Sequence, residues 1–450
     1  MNNIHAIILA AGKGTRMNST KPKVLQILSN NTLLEHVLSQ VKTLCNKIHI
    51  AYGFKGKQVQ QKINNPNINW VKQIKQLGTG HAVAQVMPYI EDNSISLILY
   101  GDVPLIKKST LSDLINKTQQ GVGIALLSVI LDNPTGYGRI IRNNKHIQAI
   151  VEQKDASNLQ LNINEVNTGI MAINSRLLKQ YLNEINLRNT QGELYLTDII
   201  ACAVADEKTI SSIISKNKFE VLGVNDKVQL AELERLFQKD QATKFMQQGL
   251  GLKDPARFDC RGTLTFGQNC EIDINTLIEG EVALGNSTTI ESNCIIKNTI
   301  IGSHVSIFPN CVIEDAVIGE GVTIGPFVHI RPQTHIQTHA KIGNFVEIKK
   351  STIGKNTKIS HLSYVGDATI GKNVNIGAGV ITCNYDGVNK HQTMIADGVF
   401  IGSDSQLIAP IKIGKNAKIG AGSTITKSVS KNQLSLSRTK QKNLKYYFKK

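Results

Sequence analysis

Residues 295–330 read IIKNTIIGSHVSIFPNCVIEDAVIGEGVTIGPFVHI, with aliphatic side chains at Ile296, Ile301, Ile307, Ile313, Ile318, Ile324 and Ile330. The step is six residues with an occasional five. It extends back to Ile278, Leu284 and Ile290, and forward through Ile336, Ile342, Ile348, Ile353, Ile359, Val365, Ile370 and Ile376. After an interruption at residues 383–394, CNYDGVNKHQTM, it resumes at Ile395, Ile401, Leu407, Ile413, Ile419 and Ile425. Neither an α-helix nor a lone strand has such a period. A parallel β-helix does, with one side of a triangular coil per hexapeptide and the aliphatic side chain pointing inward. Glycines after the aliphatics (Gly302, Gly319, Gly325, Gly354, Gly371, Gly377, Gly402 and Gly414) suit corners where backbones approach closely. Cys294 and Cys311 each precede an inward aliphatic by two residues, about one coil apart, and are expected to stack in the core as structural thiols.

The residues before this repeat follow another rhythm. IHAIILA, HIAYG, SISLILYGD and GIALLSVIL read as strands, and TLLEHVLSQVKTL and TLSDLINKTQQ as amphipathic helices. Such alternation predicts an α/β domain with a mostly parallel, covered sheet, whose ligands sit outside the carboxyl ends of the strands. Near Asn225 the pattern changes to DKVQLAELERLFQKDQATKFMQQG, with Leu230, Leu233 and Phe237 on one helical stripe and Gly249 as the stop. The expected organisation is therefore a first domain over 1–226, a linker helix over 227–249, and a β-helix with a basic tail over 250–450.

Composition narrows the functional classes. The 450 residues are 41% hydrophobic, ordinary for a globular chain. No apolar run reaches the ~18–20 residues that span a bilayer. The N-terminal run lacks a basic flank and a cleavage site, so it reads as a buried strand and the protein as cytoplasmic, without membrane insertion. Seven cysteines without a CxxC pair oppose a disulfide framework or zinc site. The net charge of +17 is dispersed apart from the tail RTKQKNLKYYFKK, and no nucleic-acid motif accompanies it. A positive field of this kind suits phosphate-bearing ligands rather than nucleic acid.

Two stretches concentrate polar chemistry. Ala10-Ala11-Gly12-Lys13-Gly14-Thr15-Arg16 directly follows the first strand, where glycines let backbone N–H groups wrap a phosphate and a helix start would add positive field. Lys13, Arg16 and Lys23 supply counter-charge. Gln73 with Leu77-Gly78-Thr79-Gly80-His81-Ala82 makes a second glycine-rich turn, and Tyr100-Gly101-Asp102 puts a carboxylate at a strand's end, suited to Mg²⁺ beside phosphates. In the β-helix, Arg331, Lys349, His361, Tyr364, Asn375, Asn384 and Tyr385 gather the base, cations and donors that acyl transfer to an amine needs, and His361 is the neutral-pH base among them. His304, His329, His335 and His339 read as solvated positions on the same coil faces.

LAAGKGTRM, KPKVL, QLGTGHA, YGDVPL, GYGRI, IVEQKDA, NTGI and GVND, in that order, resemble the nucleotidyltransferase half of the bifunctional GlmU family. KISHLSYVGDA and NVNIGAGVITCNYDG resemble its acetyltransferase half, so the resemblance covers nearly the whole chain except its last dozen residues. It implies a Rossmann-like nucleotidyltransferase domain, a linker helix and a left-handed parallel β-helix of hexapeptide repeats that assembles as a homotrimer. The left hand comes from the resemblance alone, since the usual right-handed crossover rule would give the opposite. The implied reactions are acetyl transfer from acetyl-CoA to glucosamine-1-phosphate, then uridylyl transfer from UTP to N-acetylglucosamine-1-phosphate, making UDP-N-acetylglucosamine for cell-envelope polymers. The resemblance assigns Leu9, Ala10, Ala11, Gly12, Gln73, Gly78, Thr79, Tyr100 and Gly101 to the nucleotide, and Arg16 and Lys23 to phosphates. It assigns Gly138, Glu152 and Asn167 to the N-acetylhexosamine and Asp102 and Asn225 to Mg²⁺. His361 becomes the general base, Arg331, Lys349, Tyr364 and Asn375 the grip on the amino-sugar phosphate, and Ala378, Asn384, Tyr385, Ser403, Ala421 and Arg438 the contacts to acetyl-CoA. A monofunctional pyrophosphorylase with a regulatory β-helix, or a purely scaffolding β-helix, would lack the His361–Asn384 cluster.

Overall fold

The computed structural model describes residues 3–187 and 189–444. They form two compact units, Met1–Phe237 and Gln238–Lys450, which divide within one helix, Lys227–Gln247. Its first half buries Leu233 among Met17, Leu28, Leu33 and Val224 of the first unit. Its second half places Ala242 and Phe245 on the first coils of the second unit, beside Phe258 and Phe266. Gly249, at φ +102°, ends the helical run as the sequence predicts.

The first unit is built on a nine-stranded mixed sheet: β1 (Asn3–Ala10), β2 (Lys47–Tyr52), β3 (Ile68–Lys72), β4 (Ser94–Tyr100), β5 (Ile124–Ile130), β6 (Arg139–Asn143), β7 (His146–Val151), β8 (Glu165–Asn174) and β9 (Ile210–Ile214). The spatial order is β9-β5-β8-β4-β1-β2-β3, with the hairpin β6–β7 attached to β8. The strands predicted from the apolar runs are present, and β1, β2, β3 and β4 pair in parallel. β8 is antiparallel to both β4 and β5. Helices cover the sheet, so the inner strands read as continuous apolar runs. The helix Leu33–Val41 begins on a capping box in which Thr32 accepts from the Glu35 N–H and Glu35 accepts from the Thr32 N–H.

At the end of this sheet away from the glycine-rich loops lies a buried polar chain. The Asn69 amide donates to His49 Nδ1 (2.9 Å), which leaves the His49 proton on Nε2 to be donated to His5 Nδ1 (2.9 Å). His5 in turn donates from Nε2 to Glu91 (2.5 Å), and the two rings stack 5.2 Å apart.

The second unit is a left-handed parallel β-helix. One ladder of 11 strands forms one side of the coil and a ladder of 17 strands continues around the others. The register is strict: Ile342, Ile359, Ile376, Ile401 and Ile419 stack in successive coils, as do Ile330, Ile348 and Val365. Every aliphatic picked out by the six-residue step is buried, and so are Cys294 and Cys311, whose coils are joined by the Ile295 N–H donating to the Cys311 carbonyl (2.9 Å). Corners are made by residues with positive φ, among them His304, Asn310, Phe327, Gln333, His339, Phe345, Asn356, Leu362 and Asn373. That conformation is tolerated by asparagine and costly for bulky residues. His304 and His339 therefore serve as corner residues, while His329 pairs with Glu314 (3.3 Å).

Buried His49 makes a contribution of known sign to the pH response of the first unit. Burial foremost, with the neighbouring His5 and Lys47 opposing a second cation there, holds the His49 imidazole down at about 4, against an ordinary value near 6.5. Below pH 6.5 the unfolded chain takes up a proton that the folded state refuses, so stability is full above that pH, declines as pH falls to about 4, and then levels. Urea unfolding followed by the fluorescence of Trp70, the single tryptophan, is expected to lose roughly 2 kcal/mol between pH 7.5 and 5. His49→Gln is expected to flatten that slope.

Candidate active sites

The carboxyl ends of β1, β3 and β4 open onto a cleft of about 780 Å³. Its walls include Leu9, Ala10, Ala11, Gly12, Arg16, Lys23, Gln73, Gly78, Thr79, Tyr100, Asp102 and Asn225, and also Lys13. Gly101 lies just behind, its N–H donating to the Leu9 carbonyl (2.9 Å). The expected helix start after the first glycine loop is not there: only a single 3₁₀ turn, Thr15–Met17, follows. So short an element carries little dipole, and the positive field comes from the side chains of Lys13, Arg16 and Lys23. The second loop does open an α-helix, Thr79–Val86. Gly78 at its start has φ +106°, and an added Cβ would lie 2.5 Å from the Leu194 carbonyl oxygen, so glycine is required there. Buried Gln73 donates to the Gly78 carbonyl (3.1 Å), tying the strand end to the loop.

Gly138, Glu152 and Asn167 are brought together beside this cleft. The Asn167 N–H donates to the Gly138 carbonyl (2.8 Å), and Thr197 donates to Glu152 (3.0 Å). Burial pushes the Glu152 carboxyl up, partly opposed by the Thr197 hydroxyl. Such a group is a buried, hydrogen-bonded acceptor rather than a free surface charge. Arg139, almost wholly enclosed, donates to the Tyr137 carbonyl and steadies the segment presenting Gly138.

Asp102 and Asn225 come from a strand end and from the entry to the long helix, yet their oxygens converge. Lys23 Nζ donates to Asp102 Oδ2 and lies 3.4 Å from Asn225 Oδ1, which also accepts from Arg16 (3.0 Å). The lysine ammonium stands where two oxygen donors face a single cation, and one carboxylate with one amide oxygen is a donor set that fits Mg²⁺ completed by phosphates and water. Sequence reading missed two residues that build this arrangement. Gln229 accepts the Asn225 N–H (2.8 Å) while its own N–H donates to Asp226 (2.9 Å), a variant capping box visible in N-D-K-V-Q. Gln76 donates to the Ala11 carbonyl (2.8 Å) and fixes the glycine loop; nothing in its local sequence marks it.

On the β-helix the expected residues fall into two groups. His361, Ala378, Ser403 and Ala421, and with them Asn344, which the sequence did not single out, each stand two residues beyond a stacked core isoleucine, so they form one column parallel to the helix axis. Arg438 closes its upper end by donating to the Ala421 carbonyl (3.0 Å). Asn375 lies on the strand leading to Ala378. On the next side of the coil, Arg331 and Lys349 follow the stacked Ile330 and Ile348. Arg331 is paired with Glu347 (2.8 Å). Asn384 donates to Asp367 (2.6 Å) and lies 3.5 Å from the Tyr364 hydroxyl. The interruption predicted at residues 383–394 is a loop closed by a bridge between Tyr385 and Lys390. It carries Lys390 to Lys349, whose ammonium is pushed down by that neighbour. Lys390 is therefore a third cation beside Arg331 and Lys349, invisible in sequence because the loop folds back. Among the described residues of one chain, no recorded contact joins His361 to the Arg331–Lys349–Tyr364 group. The last six residues of the basic tail, 445–450, lie outside the described residues.

Comparison with known proteins places each half of the chain in a known family. Residues 6–150 match the MobA-like NTP transferase domain, and residues 315–350 and 392–427 match the bacterial transferase hexapeptide repeat. A protein named bifunctional protein GlmU from Vesicomyosocius okutanii subsp. Calyptogena okutanii is 93% identical over 450 residues, covering 100% of both chains. A protein of the same name from Ruthia magnifica subsp. Calyptogena magnifica is 77% identical, over 99% of this chain and 98% of its own. One from Marinobacter nauticus is 51% identical, over 99% and 98%. With full-length identity at this level spanning both the cleft and the β-helix column, the chain belongs to the bifunctional GlmU family.

Proposed function

We propose that the cleft and the β-helix column carry the two halves of UDP-N-acetylglucosamine synthesis, with the residue roles set out below. The chain is an enzyme of that bifunctional type, an acetyl-CoA-dependent glucosamine-1-phosphate N-acetyltransferase and a UTP-dependent N-acetylglucosamine-1-phosphate uridyltransferase. The observation that carries this is the full-length match at 93% identity, which leaves neither half of the chain unaccounted for.

In the cleft, the sugar-phosphate oxygen attacks the α-phosphorus of UTP and pyrophosphate leaves. The attacking group is already anionic, so alignment and charge neutralisation carry the reaction rather than a strong base. The loop Leu9–Gly12, with Gln73, Gly78, Thr79, Tyr100 and Gly101, holds the nucleotide, and Gly138, Glu152 and Asn167 hold the N-acetylhexosamine. Arg16 and Lys23 meet the phosphates. Asp102 and Asn225 would hold Mg²⁺, which when bound would supply neutralising charge beside them.

On the β-helix, His361 takes the proton from the substrate amine as its nitrogen bonds to the acetyl carbon, and the carbon–sulfur bond breaks to release the CoA thiol. Arg331, Lys349, Tyr364 and Asn375 hold the amino-sugar phosphate, with Lys390 beside them. Ala378, Asn384, Tyr385, Ser403, Ala421 and Arg438 contact acetyl-CoA. The hexapeptide fold suits a trimer, and the exposed stacked rings of Phe327 and Phe345 (5.2 Å) beside Leu362 supply an apolar face for it. Among the described residues no helix is long and apolar enough to cross a membrane. The soluble nucleotide and acetyl-CoA substrates lead us to place the reaction in the cytoplasm.

Two substitutions separate the sites. Asp102→Ala is expected to abolish uridylyl transfer, assayed as pyrophosphate release, and to leave acetyl transfer near wild type; loss of both in a folded trimer contradicts the two-site reading. His361→Ala is expected to lower acetyl-transfer kcat by about 10²–10⁴-fold with little change in KM for acetyl-CoA. His339→Ala, at a corner of the same β-helix, is the control and stays near wild type in the same thiol-release assay.

A further inference from the structure

The ring of His361 makes one recorded hydrogen bond in the described structure, and it is not to an acid. Its Nδ1 lies 2.6 Å from Asn344 Oδ1, one coil earlier in the same column. The backbone fixes both partners. The Leu362 N–H donates to the Asn344 carbonyl (3.1 Å), and the Ser363 hydroxyl donates to the His361 carbonyl (2.8 Å). Each of the two residues is followed by a corner residue with positive φ, Phe345 at +57° and Leu362 at +49°, so both side chains leave the coil at the same turn. The acids on either side in sequence are engaged elsewhere, Asp367 accepting from Asn384 at 2.6 Å and Glu347 paired with Arg331 at 2.8 Å.

We propose that Asn344 is the positioning residue for His361. An amide oxygen can only accept, so its partner Nδ1 must carry the hydrogen. A neutral imidazole with its proton on Nδ1 has its lone pair on Nε2, the nitrogen directed away from the coil below. Asn344 thus selects the tautomer and holds the ring plane, and Nε2 is left to take the proton from the amine. A catalytic imidazole oriented by a third group through its other nitrogen is a recurrent device. Here the third group is neutral and belongs to the repeat itself, one coil below. The inference rests on His361 being the general base, and the experiment separates the two claims.

The full-length protein is assayed for thiol release from acetyl-CoA with glucosamine-1-phosphate across pH 5.5–9, as wild type, Asn344→Ala, Asn344→Asp and His361→Ala. Asn344→Ala is expected to lose about 10–100-fold in kcat, the range for partners that orient a functional imidazole, with both KM values within about two-fold because no binding contact is removed. Asn344→Asp keeps an acceptor on Nδ1–H, so it restores most of kcat. Its carboxylate also favours the charged imidazole, which moves the acidic limb of kcat/KM to higher pH. A merely structural asparagine would shift thermal stability and leave that limb where it was. Wild-type kcat in Asn344→Ala while His361→Ala is inactive overturns the positioning role alone. An active His361→Ala overturns the base assignment and this inference with it. Should Asn344→Ala fail to fold, the Asn344→Asp profile decides: an unmoved acidic limb overturns the proposal.

Discussion

Ile342, Ile359, Ile376, Ile401 and Ile419 lie over one another through five coils, each fully or almost fully enclosed. Burying one such side chain is worth roughly 1.5–3 kcal/mol, and a slip of one residue would turn it outward. That phase governs the rest of the second unit. It sends residues two positions later to a common corner, so Asn344, His361, Ala378, Ser403 and Ala421 become neighbours along the axis although 77 positions separate the first from the last. It also requires the chain to turn at every sixth residue or so, which is why positive φ recurs at asparagines and, less comfortably, at Phe327, Phe345 and Leu362.

The first unit solves a different problem. Its sheet is covered on both faces, and its ligand groups gather where the strands end and the loops begin. Asp102 follows the apolar β4 and Asn225 precedes the long helix, so their convergence on the Lys23 ammonium depends on elements far apart in sequence. The same helix that buries Leu233 against the first unit also carries the cap, Asp226 and Gln229, that presents Asn225. Packing and site geometry thus share a few residues at one helix start.

How much of this could be read beforehand depended on periodicity. Every aliphatic that the hexapeptide step marked is buried, as are Cys294 and Cys311, and the interrupting loop was visible as a break in the same period. The strands β1, β2, β4 and β5 and their helices were equally visible as apolar runs. What escaped were contacts made by return of the chain: Lys390 beside Lys349, Gln76 on Ala11, and the His5–His49–Glu91 chain joining strands that are distant in sequence. The helix expected after the first glycine loop failed because a single 3₁₀ turn ends at Asn18, itself in the left-handed region, and the chain then turns toward Pro22. The roles of Gly138, Glu152 and Asn167 came from family resemblance, since no local pattern singles them out.

The loop at residues 383–394 shows what a solenoid permits. From Ile359 to Ile376 the chain takes 17 residues to complete a coil, whereas from Ile376 to Ile401 it takes 25, yet both pairs sit in register. The surplus leaves at one corner and rejoins at Thr393–Ile395 without altering the ladder above. Length can therefore be added at a corner as an appendage while the axial stack keeps its phase. A single residue lost from a side would instead propagate to every later coil. The scaffold is thus open to elaboration at its edges and closed to it along its faces, and the long excursion bearing Asn384, Tyr385 and Lys390 occupies a place where the architecture tolerates novelty.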